Sequence, residues 1–104
     1  MILRSWRGRT RIGDAEDYAA FLHAAVLPEM ESLGGRGAYV LRRDEGSTSE
    51  FWVLSLWDSI DAVRLFAGPT PEEAVVPAEA RPLLLDFDSQ AQHYQVLHAP
   101  GSVA

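Results

Sequence analysis

The sequence predicts a single α+β domain in which strands and helices follow one another as β-α-β-β-α-β, with a four-stranded antiparallel sheet carrying both helices on one face. Three observations lead to this class. The chain has 104 residues, enough for one domain and too few for two. Apolar residues recur with a period of two, then of 3.6, then of two again along the chain. The stretch 50–57 is apolar on both of its faces, so each side of that strand must be covered. The domain is expected to span 1–98, with a flexible tail over 99–104.

Residues 1–11 alternate, with Ile2, Arg4, Trp6 and Gly8 against Leu3, Ser5 and Arg7, and read as the first strand. Gly13 and Asp14 interrupt it; Asp14 is a suitable helix N-cap, and Glu16 and Asp17 place negative charge in the first turn. Tyr18, Phe21, Leu22, Ala25 and Val26 then fall on one helical face. Pro28 is expected to kink or reset this helix before it ends by Leu33 at Gly34-Gly35. Residues 37–43 and 50–57 flank a segment of turn composition, 44–49, and form a hairpin. In its second strand Phe51, Val53 and Trp57 point one way and Trp52, Leu54 and Leu56 the other.

Asp58 and Ser59 open the second helix, which carries Ile60, Val63 and Phe66 and stops at Gly68-Pro69. The segment 70–81 is punctuated by prolines and reads as a lid-like insertion, with short helical turns at 71–75 and 78–84. Residues 92–98 alternate as the final strand. This is the ferredoxin-like split β-α-β order, which leaves one sheet face bare. With apolar residues of 50–57 on that face, the expected solution is a two-fold homodimer with sheets facing each other, a dimeric α+β barrel.

Composition excludes several functions. There is no cysteine, so disulfides, thiolate nucleophiles and cysteine-bound metal are impossible. The net charge is −6, which opposes sequence-independent binding of nucleic acid. No run of about 18 apolar residues suits a membrane span, and Arg4 and Arg7 fall where a signal peptide needs apolar residues, so a cytoplasmic protein is expected. His93 and His98 are five apart on a strand and point to opposite faces, so no metal site is expected. No glycine-rich loop after a strand cradles phosphate, and no serine sits in a nucleophile elbow.

The segments 37–43 (GAYVLRR) and 51–66 (FWVLSLWDSIDAVRLF), with Trp6 on the first strand and His93-Tyr94 on the last, resemble the antibiotic biosynthesis monooxygenase domain family of dimeric α+β barrels. The resemblance covers roughly residues 1–97. It implies a homodimer with a cleft between sheet and helices in each subunit. Relatives include cofactor-independent oxygenases of aromatic polyketides, haem-degrading monooxygenases and quinol oxygenases. The haem-degrading members use an Asn, a Trp and a His, and this chain has no asparagine. The implied activity is a monooxygenase that needs no bound cofactor and acts on a small aromatic, a phenol, quinol or anthrone that itself supplies the electrons for O2. The alternative is a non-catalytic dimeric barrel that binds a small apolar ligand or serves in a stress response.

The candidate residues follow from side-chain chemistry. His93 opens the last strand after the lid and is of a type that titrates near neutrality; it or Tyr39 is the candidate for assisting deprotonation. Arg4 shares a strand face with Trp6 and is the candidate for stabilising an anionic or enolate substrate. Trp57, Trp6 and Trp52, together with Phe66, are candidate walls for a flat aromatic, although large aromatics in strands more often serve as core or interface anchors. His23 and His98 have no such context.

Overall fold

A computed structural model describes residues 1–101. Strand β1 (Ile2–Arg11) leads through a 3-10 turn into helix α1 (Ala15–Phe21), a π-helical turn (Leu22–Val26) and helix α2 (Leu27–Ser32). Strands β2 (Ala38–Glu45) and β3 (Thr48–Trp57) form the hairpin, followed by helix α3 (Ile60–Ala67) and two short strands, β4 (Leu84–Phe87) and β5 (Gln92–Gln95). The sheet is antiparallel and ordered β2-β3-β1, with β4 and β5 both on the far edge of β1. This is the ferredoxin-like α+β arrangement.

β1 and β3 form its spine, paired from Ile2 opposite Trp57 to Arg11 opposite Thr48. The hairpin turn is tighter than the composition of 44–49 suggests: the ladder runs to Glu45 opposite Thr48, and Gly46 supplies the left-handed φ of +61° that a two-residue turn needs. The core lies between the inner sheet face, with Phe51, Val53 and Trp57, and the helices, with Tyr18, Leu22 and Val63. Tyr18 meets Phe51 edge to face at 5.0 Å.

Three elements differ from expectation. In the first helix the register change expected at Pro28 is made just before it, by a π turn closed by the Leu27 N–H on the Leu22 carbonyl, ahead of the proline that lacks a donor. Buried Tyr18, Leu22, Val26 and Met30 are each four apart, a spacing that drifts about 40° per step around a 3.6-residue helix. The wider turn reduces that drift and keeps the row on the sheet, which leaves Ala25 exposed rather than on the apolar face. Asp14 makes no side-chain cap; its carboxylate lies 3.5 Å from Arg11.

The final strand is the second difference. The edge position expected for 92–98 is filled by β4 beside Gly8–Thr10 and by β5 beside Ile2–Ser5. Asp88 bridges the break: its N–H donates to the Arg7 carbonyl at 2.9 Å and its carboxylate accepts from the Arg7 N–H at 3.2 Å. Third, the short helix expected at 78–84 shrinks to a 3-10 turn, Arg81–Leu83, and 71–75 forms a turn and an isolated bridge from Glu73 to Gln90. Of the expected tail, 102–104 lie outside the described residues.

Candidate functional site

Alternation along β1 sends Arg4, Trp6, Gly8 and Thr10 toward the helices and Leu3, Ser5, Arg7 and Arg9 to the other face. Arg4 is thereby carried into the interior, where it is only 3 % exposed. In register it sits between Ser55 on β3 and His93 on β5, so a polar row crosses the inner face at this end of the sheet. Nη1 donates to the Pro71 carbonyl and Nη2 to the Glu73 carbonyl at 2.7 Å. Nη1 also lies 3.1 Å from His93 Nε2. A guanidinium can only donate, so Nε2 is the acceptor and the imidazole proton resides on Nδ1. Arg4 Cζ is 5.8 Å from the Phe66 ring centroid.

Among the described residues no carboxylate lies within salt-bridge distance of Arg4. Burial lowers its pKa to about 10, against a smaller opposing pull from Glu72. Burial and then the adjacent Arg4 charge also hold the His93 pKa below its usual value, so the ring favours the neutral form that its contact requires.

Beside this row lies a cavity of about 30 Å³. Its floor is Arg4, Trp6 and Ser55, and Leu22 and Met30 line the helical wall. Phe66 borders it from α3, and Val75, Val76, Pro77 and Ala80 cover it. A space of this size holds a water or two and is much smaller than the several hundred Å³ of a drug-sized ligand site. Tyr18 also borders it, and burial raises its phenol pKa well above the usual range, so the hydroxyl stays protonated.

Three of the sequence-derived candidates therefore border one space, Arg4, Trp6 and Phe66, and His93 touches the first of them. Trp6 is placed by its Nε1, which donates to the Asp88 carbonyl at 2.9 Å, and by Gly8, where a Cβ would come within 2.8 Å of its ring. Trp57 is fully enclosed behind this group, stacked on Phe66 at 5.6 Å and donating to Ser55 Oγ at 2.9 Å. The sheet separates the remaining two from the cavity. Tyr39 pairs across the open face with Leu54 and is 57 % exposed. Trp52 lies on that same face, its Nε1 donating to Ser5 Oγ at 2.7 Å and its ring 5.4 Å from the Arg7 guanidinium. Sequence reasoning overlooked Ser55, whose alternation with Val53 and Trp57 already placed it on the inner face.

An antiparallel sheet with a buried arginine and a small apolar cavity under its helices places the chain in the ferredoxin-like α+β class. The chain shares this fold over essentially its whole length with proteins of the antibiotic biosynthesis monooxygenase group. One is a candidate antibiotic biosynthesis monooxygenase from Bacillus cereus, with a TM-score of 0.65 and 14 % identity, covering 100 % of this chain and 98 % of that one. Another is an arginine-to-serine mutant of MhuD with two manganese protoporphyrin IX molecules per active site, with a TM-score of 0.66 and 21 % identity, covering 98 % of this chain and 100 % of that one. At these identities the likeness is one of fold. No family model and no curated protein matches the sequence.

A porphyrin does not fit the cavity as it stands: the space is about 30 Å³ and no histidine lines it. Among the described residues no cluster of three His, Asp or Glu side chains could hold a metal ion, and no helix is long and apolar enough to cross a membrane.

Proposed function

We propose that this chain is a monooxygenase-like protein that binds a small, ionisable aromatic in the cavity beside Arg4. The observation that carries the reading is a guanidinium buried beside an apolar cavity with no carboxylate within salt-bridge distance among the described residues. A buried cation of this kind favours an anion that arrives with the ligand. For a phenol, loss of the hydroxyl proton to solvent gives a phenolate whose charge Arg4 would hold while the ring reacts with O2. One oxygen atom enters the ring and the other leaves as water, converting phenol and O2 to quinone and water with all electrons drawn from the substrate. Trp6 and Phe66 would hold the ring, and His93 would act as a positioning residue through its contact with Arg4.

The structural neighbours described as a monooxygenase and as a porphyrin-binding protein support the general class. The test is oxygen uptake with a panel of hydroquinones and anthrones. Turnover that falls roughly 100-fold in Arg4→Gln supports the reading. Absence of uptake with every member favours a non-catalytic ligand-binding barrel, the second reading, which the small cavity volume also favours.

The functional unit in this proposal is a homodimer. Tyr39, Leu41 and Trp52 are 57 %, 43 % and 38 % exposed on the open sheet face, and Tyr94 on β5 is 57 % exposed. Through register they join Leu3, Leu54 and Leu56 in one apolar patch, which a second copy would cover sheet to sheet. Sedimentation at micromolar concentration should give a dimer, and Leu54→Glu should release single subunits with unchanged far-ultraviolet circular dichroism. A wild-type chain that sediments as one subunit overturns the pairing.

A further inference from the structure

The cavity has the lining of an anionic aromatic site and too little room for a ring. Of the cavity walls, the cover is the one outside any helix or strand. The floor belongs to β1 and β3, paired at ten consecutive positions, and the opposite wall to a continuous helical segment. The cover, Val75, Val76, Pro77 and Ala80, belongs to a stretch between α3 and the Arg81–Leu83 turn that forms no helix or strand. Between Ala74 and Arg81 its backbone bonds are local turns, from the Ala80 N–H to Pro77 and from the Arg81 N–H to Ala78. Its attachments to the rest of the protein gather at its N-terminal end. The Glu72 carbonyl accepts from the Ala91 N–H at 2.7 Å, and the Ala74 N–H donates to Ser89 at 3.1 Å. The remaining hydrogen-bonded attachments are the two carbonyls, Pro71 and Glu73, that Arg4 holds, while Ala80 and Val76 pack on the core through apolar contact alone.

The guanidinium that would bind the ligand anion is therefore the same group that fastens the cover: of its five N–H donors, two hold the Pro71 and Glu73 carbonyls and a third faces His93. We propose that Arg4 is a two-position latch: in the closed form it binds the Pro71 and Glu73 carbonyls, and an aromatic ligand bearing a negatively charged oxygen displaces them, releasing the 71–80 segment and opening the cavity. The ligand class follows from this exchange. A neutral oxygen replaces two carbonyl acceptors poorly, whereas an oxyanion offers a charge-assisted partner roughly twice as strong. Of the two released carbonyls, that of Glu73 belongs to a surface residue and finds water there, and that of Pro71, a buried residue, reaches water as the segment lifts away. His93 remains on Nη1 in either position and keeps the guanidinium from following the loop outward. This inference rests on the reading of the cavity as the ligand site.

The test uses 4-nitrophenol, whose yellow phenolate and colourless phenol are distinguished by absorbance and whose ring is too electron-poor to react, with nitrobenzene as the neutral control. On binding to the wild type, the probe's apparent pKa should fall by about one unit or more, a tenfold change in proton affinity. Hydrogen exchange at the Glu73 and Ala74 amides should rise with 4-nitrophenol and stay unchanged with nitrobenzene. In Arg4→Gln the pKa shift should vanish and exchange over 71–80 should be elevated without any probe. Arg4→Lys, which keeps the charge but not the two-pronged grip, should retain part of the shift while exchange is elevated. Binding of 4-nitrophenol with no rise in exchange, or an equal rise with nitrobenzene, overturns the latch and leaves the cavity as a ligand site. If neither probe binds the wild type, the cavity reading fails and the latch with it.

Discussion

The two faces of one sheet use the same residue types for opposite purposes. On the helix side Arg4 is enclosed and every donor contact named above is inside the protein, whereas on the other side Arg7 and Arg9 remain in water and pair with Asp88 at 3.6 Å and with Asp86. The tryptophans divide in the same way: Trp57 has no exposure and Trp52 has 38 %. A strand alternates its side chains, so neighbours in sequence enter media of very different dielectric. The lesson is that residue type alone does not assign role here; the parity of its position on β1 or β3 does.

The most forceful way to break this contrast is to truncate the two tryptophans. Trp57→Ala should cost about 3–5 kcal/mol in urea unfolding, because it empties a packed site behind Phe66. At high dilution Trp52→Ala should cost no more than about 1–2 kcal/mol, since water already reaches that ring. If a second copy covers the outer face, the gap between Trp52→Ala and the wild type should widen as protein concentration rises. Equal losses at dilution would mean that the two faces are not distinct environments.

A smaller effect probes the packing beside the cavity. Gly8→Ala places a methyl 2.8 Å from the Trp6 ring and 3.1 Å from Leu84. It should destabilise by about 1–3 kcal/mol and alter the near-ultraviolet circular dichroism of Trp6. Retention of both stability and spectrum would show that Trp6 is not held by this contact.

The smallest effect is electrostatic. Burial and Arg4 lower the His93 pKa in the fold, so as pH drops below about 6.5 the unfolded chain takes up a proton that the folded state refuses. Stability should therefore fall with acid through this window and recover above it. The urea midpoint of the wild type should drop more between about pH 7.5 and about pH 5.5 than that of His93→Gln, which keeps an acceptor for Arg4 without a titrating ring. Identical slopes would remove His93 from the inner row.

Much of this was legible in the chain. The alternation in 50–57 identified both faces of β3, and Ser59 and Gly68 marked the ends of α3, where Ser59 Oγ does accept the Ala62 N–H at 3.1 Å and Gly68 takes a φ of +89°. The split edge strand was hidden because four residues, Leu84–Phe87, are too few to show a period, and Pro82 just before them suggested a helical turn. The π turn was half legible: Pro28 marked a change in the helix, and the packing of Tyr18, Leu22, Val26 and Met30 on the sheet decided its form.

For the candidate site the division is sharper. The sequence by itself determined which residues share a strand face, because the pleat has a period of two: Arg4 with Trp6, and Tyr39 apart from its neighbours Ala38 and Val40. Only the tertiary structure decided which of those faces turns inward, that His93 arrives beside Arg4 from 89 residues away, and that the 71–80 segment folds over the cavity beside Arg4. Those are long-range contacts, set by how strands pair and loops close, and no local pattern encodes them.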